Sequence, residues 1–213
     1  MKENGLLPRG DLYEVGRADL VGKYVGWTAK IVKERFRQAK GGVLFIDEAY
    51  SLSDGRDGLF GDEAINAIVQ EMENHRDDTV VIFAGYPDEM EEFLSRNPGL
   101  RSRIAFHVPF PDYSAEELYQ ICGLIAGQKG LSLDPGTKEA LMPILERARE
   151  QSDFGNGRYA RNLIEKAMMK QSGRLMRLDS KSLTARHLST LTAEDFEMPE
   201  VKPKQTVRRI GFA

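Results

Sequence analysis

Hydrophobic positions along the chain follow two regimes. Up to about residue 111, short continuous apolar runs alternate with segments whose apolar residues recur every third or fourth position; beyond it only the second pattern continues. A continuous run leaves no polar face and predicts a strand buried on both sides, whereas three-to-four spacing predicts a helix that lays one face on a core. Gly42-Val43-Leu44-Phe45-Ile46 is the clearest run, Thr79 to Gly85 the second, and Asp11 to Val15 and Ile104 to Val108 are two further strand candidates. Between them, a helix capped by Thr28 carries Ile31, Val32, Phe36 and Ala39 at core spacing. Asp62 to Asn74 places Ala64, Ile65, Ile68, Val69 and Met72 on one face, and a short helix is expected from Glu89 to Arg96. Such alternation predicts a parallel sheet with crossover helices.

Pro109-Phe110-Pro111-Asp112 marks the boundary between the regimes. After it, Ser114 with Glu117 forms a capping box, and Asp134-Pro135 opens another helix with a cap acid and proline at the first position. Gly155-Asn156-Gly157-Arg158 precedes a long helix containing Leu163, Ile164, Ala167, Met168 and Leu175; Thr192 to Asp195 begins a last short one. The chain thus divides into an α/β unit over 1–111, an all-helical unit over 112–198 and a loose, proline-containing basic tail over 199–213. Met1 to Gly5 reads as the last turn of a helix stopped by glycine.

Composition narrows the function. The 213 residues suffice for one large domain or two small ones, and 30 basic against 33 acidic residues give a net charge of -3, which does not favour a nucleic-acid partner. The single cysteine, Cys122, cannot form an internal disulfide and lies in an apolar helical pattern, so a core role in a reducing cytosol is expected. There is no membrane-length apolar run and no signal-peptide pattern at the N-terminus; a cytoplasmic protein with no membrane partner is expected.

The chemistry concentrates where the best strand ends, in Asp47-Glu48. Open α/β sheets place ligands at the carboxyl ends of their strands. A carboxylate there suits Mg²⁺ held through water, and a second one can orient and deprotonate a water for attack on a phosphoryl group. Acids at a strand end can also simply face solvent. Tyr24 and Val25, in a turn bounded by Gly22 and Gly26, can form a tip that grips a polypeptide or an ordinary turn whose tyrosine packs on its own helix. Ser51 to Gly61 reads as a polar loop without the bidentate acid of a calcium loop. Arg101 and Arg103, after Asn97-Pro98-Gly99, are either solvated or reach an anion, including one on a neighbouring subunit.

Taken together, Leu20–Gly26, Gly42–Tyr50, Met72-Glu73-Asn74, Arg76-Asp77-Asp78, Ala84-Gly85-Tyr86, Asn97–Ile104 and Gly155–Asn162 resemble, in order, an AAA+ ATPase of the family of CbbX (the rubisco activase) and stage V sporulation protein K. The resemblance covers roughly residues 10–178. It implies a P-loop-type parallel sheet with flanking helices, here partial, followed by a small helical lid. It further implies ATP and Mg²⁺ as cofactors, a homo-oligomeric ring, expected to be a hexamer, and a protein substrate remodelled through the ring's pore. By position, Asp47 and Glu48 match the Walker B metal ligand and catalytic base. Arg103 matches the arginine finger, with Arg101 beside it; Arg158 matches the lid's nucleotide-sensing arginine, with Arg161 neighbouring. Tyr24, Val25 and Gly26 match the substrate-gripping pore loop, and residues 54–60 a second pore loop. Tyr86 departs from the pattern, standing where many AAA+ proteins carry a polar residue. The phrasing leans to the sporulation-type branch, and nothing in it names the substrate.

No Gly-x-x-x-x-Gly-Lys-Ser/Thr occurs in the sequence. That loop supplies the backbone N–H groups, lysine and hydroxyl that hold phosphates and Mg²⁺. In the family it precedes the first strand found here, so the chain is expected to lack an N-terminal portion, with Met1 either an internal methionine or an artificial boundary. Strands 79–85 and 104–108 are then expected either to close up or to be bridged by another segment or chain. Two functional readings follow. In one, these residues are the C-terminal part of an ATPase; in the other, a non-catalytic ring partner donates Arg103 without binding ATP. A DNA-acting AAA+ protein is disfavoured by the lack of a basic stripe.

Overall fold

The computed structural model describes residues 3, 5, 7–24, 26–53, 58–151, 154–179 and 182–198. The chain forms two compact units, 1–109 and 110–213. The first is built on three parallel strands in the order β1 (Leu12–Val15), β2 (Val43–Ile46) and β3 (Val80–Phe83). Leu12 stands opposite Val43 and Val15 opposite Ile46, while Val43 and Ile46 face Val80 and Phe83 on the other side. As expected of a central strand, β2 has Leu44 and Ile46 fully buried.

Helix α1 (Arg17–Leu20) turns the chain out of β1, and α2 (Thr28–Ala39) and α3 (Gly58–Asn74) are the two crossovers. Val32 and Phe36 of α2 join Ile65 and Ile68 of α3, Leu44 and Ile46 of β2, and Phe93 of α4 (Pro87–Arg96) in one core, with Leu100 of α5 (Pro98–Arg101) at its side. Three local expectations change. Thr28 is not the cap of α2 but its first residue: Trp27 occupies the cap position, and the Thr28 hydroxyl accepts from the buried N–H of Gly22 (3.1 Å). Helix α3 begins four residues earlier than expected, and α4 begins at Pro87 rather than at Glu89.

The larger change concerns Ile104 to Val108, which forms no strand. A strand is stable only when a neighbour takes its backbone hydrogen bonds, and among the described residues nothing pairs with this segment. Ile104 packs partly on the core, but Phe106 is 85% exposed and Val108 70%. Of the two arrangements expected for strands 79–85 and 104–108, closing up is not seen among the described residues, and β3, read as fully buried, is only partly so, with Ile82 37% exposed.

The second unit is helical: α6 (Ala115–Gln128), α7 (Thr137–Arg149), α8 (Gly157–Leu175) and α9 (Ala185–Ser189). Ser114 caps α6 as expected, its hydroxyl accepting from the Glu117 N–H while the Glu117 carboxylate takes the Ser114 N–H. Asp134-Pro135 instead forms a turn ahead of α7, where the Asp134 carbonyl accepts from both the N–H and hydroxyl of Thr137. A two-residue parallel pair, β4 (Ser132–Leu133) with β5 (Thr190–Leu191), adds to the helices. Gln171 of α8 stabilises it from below, donating to the carbonyls of His187 and Thr190 at 3.1 and 3.0 Å. Cys122 is buried in this unit's core, and burial pushes its thiol up to about 12, so it is an inert packing residue. The expected readings of Met1 to Gly5 and of the tail fall almost wholly on residues outside those described. No described helix is long and apolar enough to cross a membrane.

Candidate active site

Strand β2 delivers Asp47 and Glu48 to the carboxyl edge of the sheet, both exposed to solvent. The edge is fixed by backbone bonds from both neighbours: the Asp47 N–H donates to the Val15 carbonyl at the end of β1 (3.0 Å), and the Ala49 N–H donates to the Ala84 carbonyl after β3 (3.0 Å). Two acids are therefore held at a backbone junction where all three strands end.

Glu48 adopts φ 46, ψ 48, a left-handed conformation that costs a residue with a Cβ about 1–2 kcal/mol. Its carbonyl accepts from the Ser51 N–H (2.8 Å), starting a 3₁₀ turn over Ala49–Leu52. Glycine would fill this position without strain, so a glutamate is held there against local preference. The carboxylate of Asp47 accepts from the Glu48 N–H (3.0 Å) through one oxygen. A single carboxylate facing solvent fits Mg²⁺, which keeps several waters and takes one or two protein oxygens beside substrate phosphates. Among the described residues no group of three or more acids, histidines or cysteines could enclose a metal.

Arg17, which the sequence reading did not single out, clamps the turn behind Glu48. Its guanidinium donates to the carbonyls of Ser51 (2.5 Å) and Leu52 (3.1 Å). The same turn requires Gly61, because a Cβ there would lie 2.1 Å from the Leu52 carbonyl oxygen. Tyr86, just beyond β3, sets its ring 6.4 Å from that of Tyr50, so the position read as an atypical sensor carries an aromatic beside the acidic edge.

The two candidate finger arginines are not part of this cluster. Arg101 pairs with Glu91 of α4 (2.9 Å); Arg103 donates to the Gly99 carbonyl (3.0 Å) and lies 3.6 Å from Glu73. Glu73 ends α3 where the chain turns into the start of β3, the opposite edge of the sheet from Glu48. Arg158 and Arg161 lie exposed in the first two turns of α8, in the other unit, and among the described residues no carboxylate pairs with either. Asn156, at φ 48, secures the start of that helix, accepting from the Tyr113 N–H and donating to Asp112 (2.7 Å).

Tyr24 stands 63% exposed in the turn before α2. Val25 and most of the proposed second loop (54–57, with the side chains of 58 and 59) lie outside the described residues. The structure adds Trp27, 53% exposed, its ring 5.1 Å from that of Tyr24 in an edge-on arrangement. The three-residue spacing in the sequence was a signal for that pairing, but only with the turn's shape in hand.

Residues 7–111 match the family described as ATPase family associated with various cellular activities (AAA), and residues 114–206 match the AAA lid domain. Over 200 residues the chain is 46% identical to protein CbbX of Cereibacter sphaeroides, covering 92% of this chain and 64% of that protein. It is 44% identical to the chloroplastic ribulose bisphosphate carboxylase/oxygenase activase of Cyanidioschyzon merolae (90% and 66%). It is 43% identical to a CfxQ homologue of Cyanidium caldarium (90% and 67%). The chain spans just under two thirds of the length of the first two. Among solved structures, the FIGL-1 AAA domain in complex with ADP superposes with a TM-score of 0.59 at 22% identity, covering 86% of this chain and 59% of that one, a likeness of fold.

Proposed function

This chain belongs to the ATPase family associated with various cellular activities, and from that premise we propose that its protein couples ATP hydrolysis to the remodelling of a protein substrate. The observation that carries the reading is the strained Glu48 beside Asp47 at the carboxyl edge of β2. Glu48 is the base that orients and deprotonates the attacking water, and Asp47 offers its oxygen to Mg²⁺, which would offset phosphate charge when bound. Arg103, with Arg101 as its neighbour, acts on nucleotide held by an adjacent subunit of a ring, here read as a hexamer; its place away from Glu48 supports a role in trans. Arg158 and Arg161, unpaired among the described residues, answer to nucleotide from the lid. Tyr24, with Val25 and Gly26, grips the polypeptide in the pore. The relatives' names support the CbbX branch over the sporulation branch towards which the phrasing of the sequence leans.

The test is phosphate release by the full-length protein with Mg-ATP. Glu48→Gln is expected to lower kcat by about 10²–10⁴-fold while ATP binding persists; unchanged turnover would reject Glu48 as the base. The second reading, a non-catalytic ring partner, is favoured by one observation, the place of Arg103 beside Glu73 and away from Glu48. Mixing this chain with Cereibacter sphaeroides CbbX separates the two. Stimulated hydrolysis that disappears with Arg103→Ala supports donation of the arginine, and no effect removes that reading.

A further inference from the structure

Trp27 has no role in the reading above, yet the fold spends structure on presenting it. The turn from Gly22 to Trp27 is closed by the Trp27 N–H donating to the Tyr24 carbonyl (3.1 Å) and by the Gly22 N–H donating to the Thr28 hydroxyl (3.1 Å). Backbone packing is so tight that a Cβ on Gly22 would lie 2.8 Å from the Trp27 Cβ. The Trp27 ring is thus carried on a fixed base while more than half of the residue faces solvent. Its ring partner is Tyr24, edge-on and 63% exposed. Two aromatic side chains held at an angle form a notch that takes an apolar side chain, with little entropy lost on binding.

Two residues beyond Trp27, Ala29 of α2 lines a shallow trench of about 450 Å³ together with Asp62, Glu63, Asn66, Ala67 and Gln70 of α3. The Glu63 carboxylate accepts from the Ala29 N–H at 3.4 Å, which ties the trench wall to the start of α2. The lining carries two carboxylates and two amides but no cation. Its charge complements a basic side chain, and its amides suit the backbone of an extended peptide.

We propose that Trp27 is a second gripping residue, forming with Tyr24 a notch for an apolar side chain of an extended polypeptide, whose basic neighbours are received by the Asp62–Gln70 trench. This rests on the reading of Tyr24 as a residue that touches polypeptide, and makes that contact selective for apolar-then-basic segments.

Trp27 is the only tryptophan in the chain, so its own emission reports the site. The chain is titrated with short Gly/Ser peptides bearing leucine next to lysine, leucine next to glutamate, or neither. Emission of Trp27 follows the unlabelled peptides; anisotropy of fluorescein-labelled ones follows variants without the ring. The leucine–lysine peptide is expected to shift the emission and bind most tightly. Trp27→Ala and Tyr24→Ala should each weaken binding about fivefold or more, and Trp27→Phe should restore most of it. Circular dichroism verifies that each variant is folded. If Tyr24→Ala weakens binding and Trp27→Ala does not, the proposal fails while the polypeptide reading of Tyr24 stands. If no peptide binds even at millimolar concentration, both fail. Binding of the leucine–glutamate peptide equal to or tighter than that of its lysine counterpart overturns the proposal, as does an emission change on dilution without peptide, which would assign the notch to a second copy of this chain.

Discussion

At the scale of single residues, Glu48 combines two facts that ordinarily exclude each other. It is an exposed side chain free to vary without harm to the core, and it sits in a backbone conformation that disfavours any side chain. Glu48→Gly should therefore stabilise the fold by about 0.5–1 kcal/mol, relief of the left-handed strain being offset in part by glycine's greater chain entropy. Denaturant titration measures this directly, and a destabilised variant would contradict the strain argument. The same variant removes the proposed base, so stability and turnover should move in opposite directions. Asp47 and Glu48 were legible in the sequence because a continuous apolar run announces its own end. Arg17 was not, since its partners Ser51 and Leu52 lie more than thirty residues away and are backbone carbonyls with no sequence signature. Trp27 escapes the sequence reading for a nearer reason: it follows the turn bounded by Gly22 and Gly26, and only the fold sets its ring beside that of Tyr24.

At the scale of elements, apolar spacing or capping residues located the long helices of both units and the apolar runs located the three paired strands, while the short helices α1, α5 and α9 show too few turns to display a spacing. Nor did spacing locate β4 and β5, which are too short to show a period and are held together through Gln171 and the Ser132 hydroxyl, which donates to the Ser189 carbonyl. The segment carrying β5 is anchored next by an ion pair. Arg174 of α8 donates through two nitrogens to both oxygens of Asp195, at 2.9 and 2.8 Å, and the Thr192 N–H adds a third bond. Burial alone would raise the Asp195 carboxyl, whose side chain is 1% exposed, but the Arg174 and Thr192 hydrogen bonds outweigh it and hold the group below the usual aspartate range. A depressed folded value means the stabilisation is fully present above about pH 4, the unfolded range, and is lost as pH falls through the lower folded value. Thermal melts should show the lid unit weakening on acidification below pH 4. Asp195→Asn should flatten that dependence and cost about 2–3 kcal/mol at neutral pH by leaving Arg174 without its counter-charge. A variant with the wild-type acid limb would assign the dependence to other carboxylates.

At the scale of the whole chain, the two outer edges of the first unit's sheet differ in a way that governs behaviour in solution. Strand β1 is flanked by charge, with Asp11 paired to Arg9 just before it and Glu14 within it. Charged residues on an edge discourage another chain from adding a strand. Strand β3 reads Val80-Val81-Ile82-Phe83 without a charge, and its outer edge is unpaired among the described residues. Nearby in sequence, Phe106 and Val108 expose large apolar surface on a segment that pairs with nothing described. An uncharged apolar edge with unsatisfied backbone groups is a template for strand addition. These 213 residues expressed alone are therefore expected to self-associate, with the weight-average mass in sedimentation rising over the micromolar range. Ile82→Lys places a charge on the edge strand at a position already 37% exposed, so it should suppress association with little loss of melting temperature. Phe106→Lys should act in the same direction if the exposed segment takes part. A chain that stays monomeric across that range, or an Ile82→Lys variant that associates as strongly as the parent, would show that the β3 edge is not the surface through which copies meet.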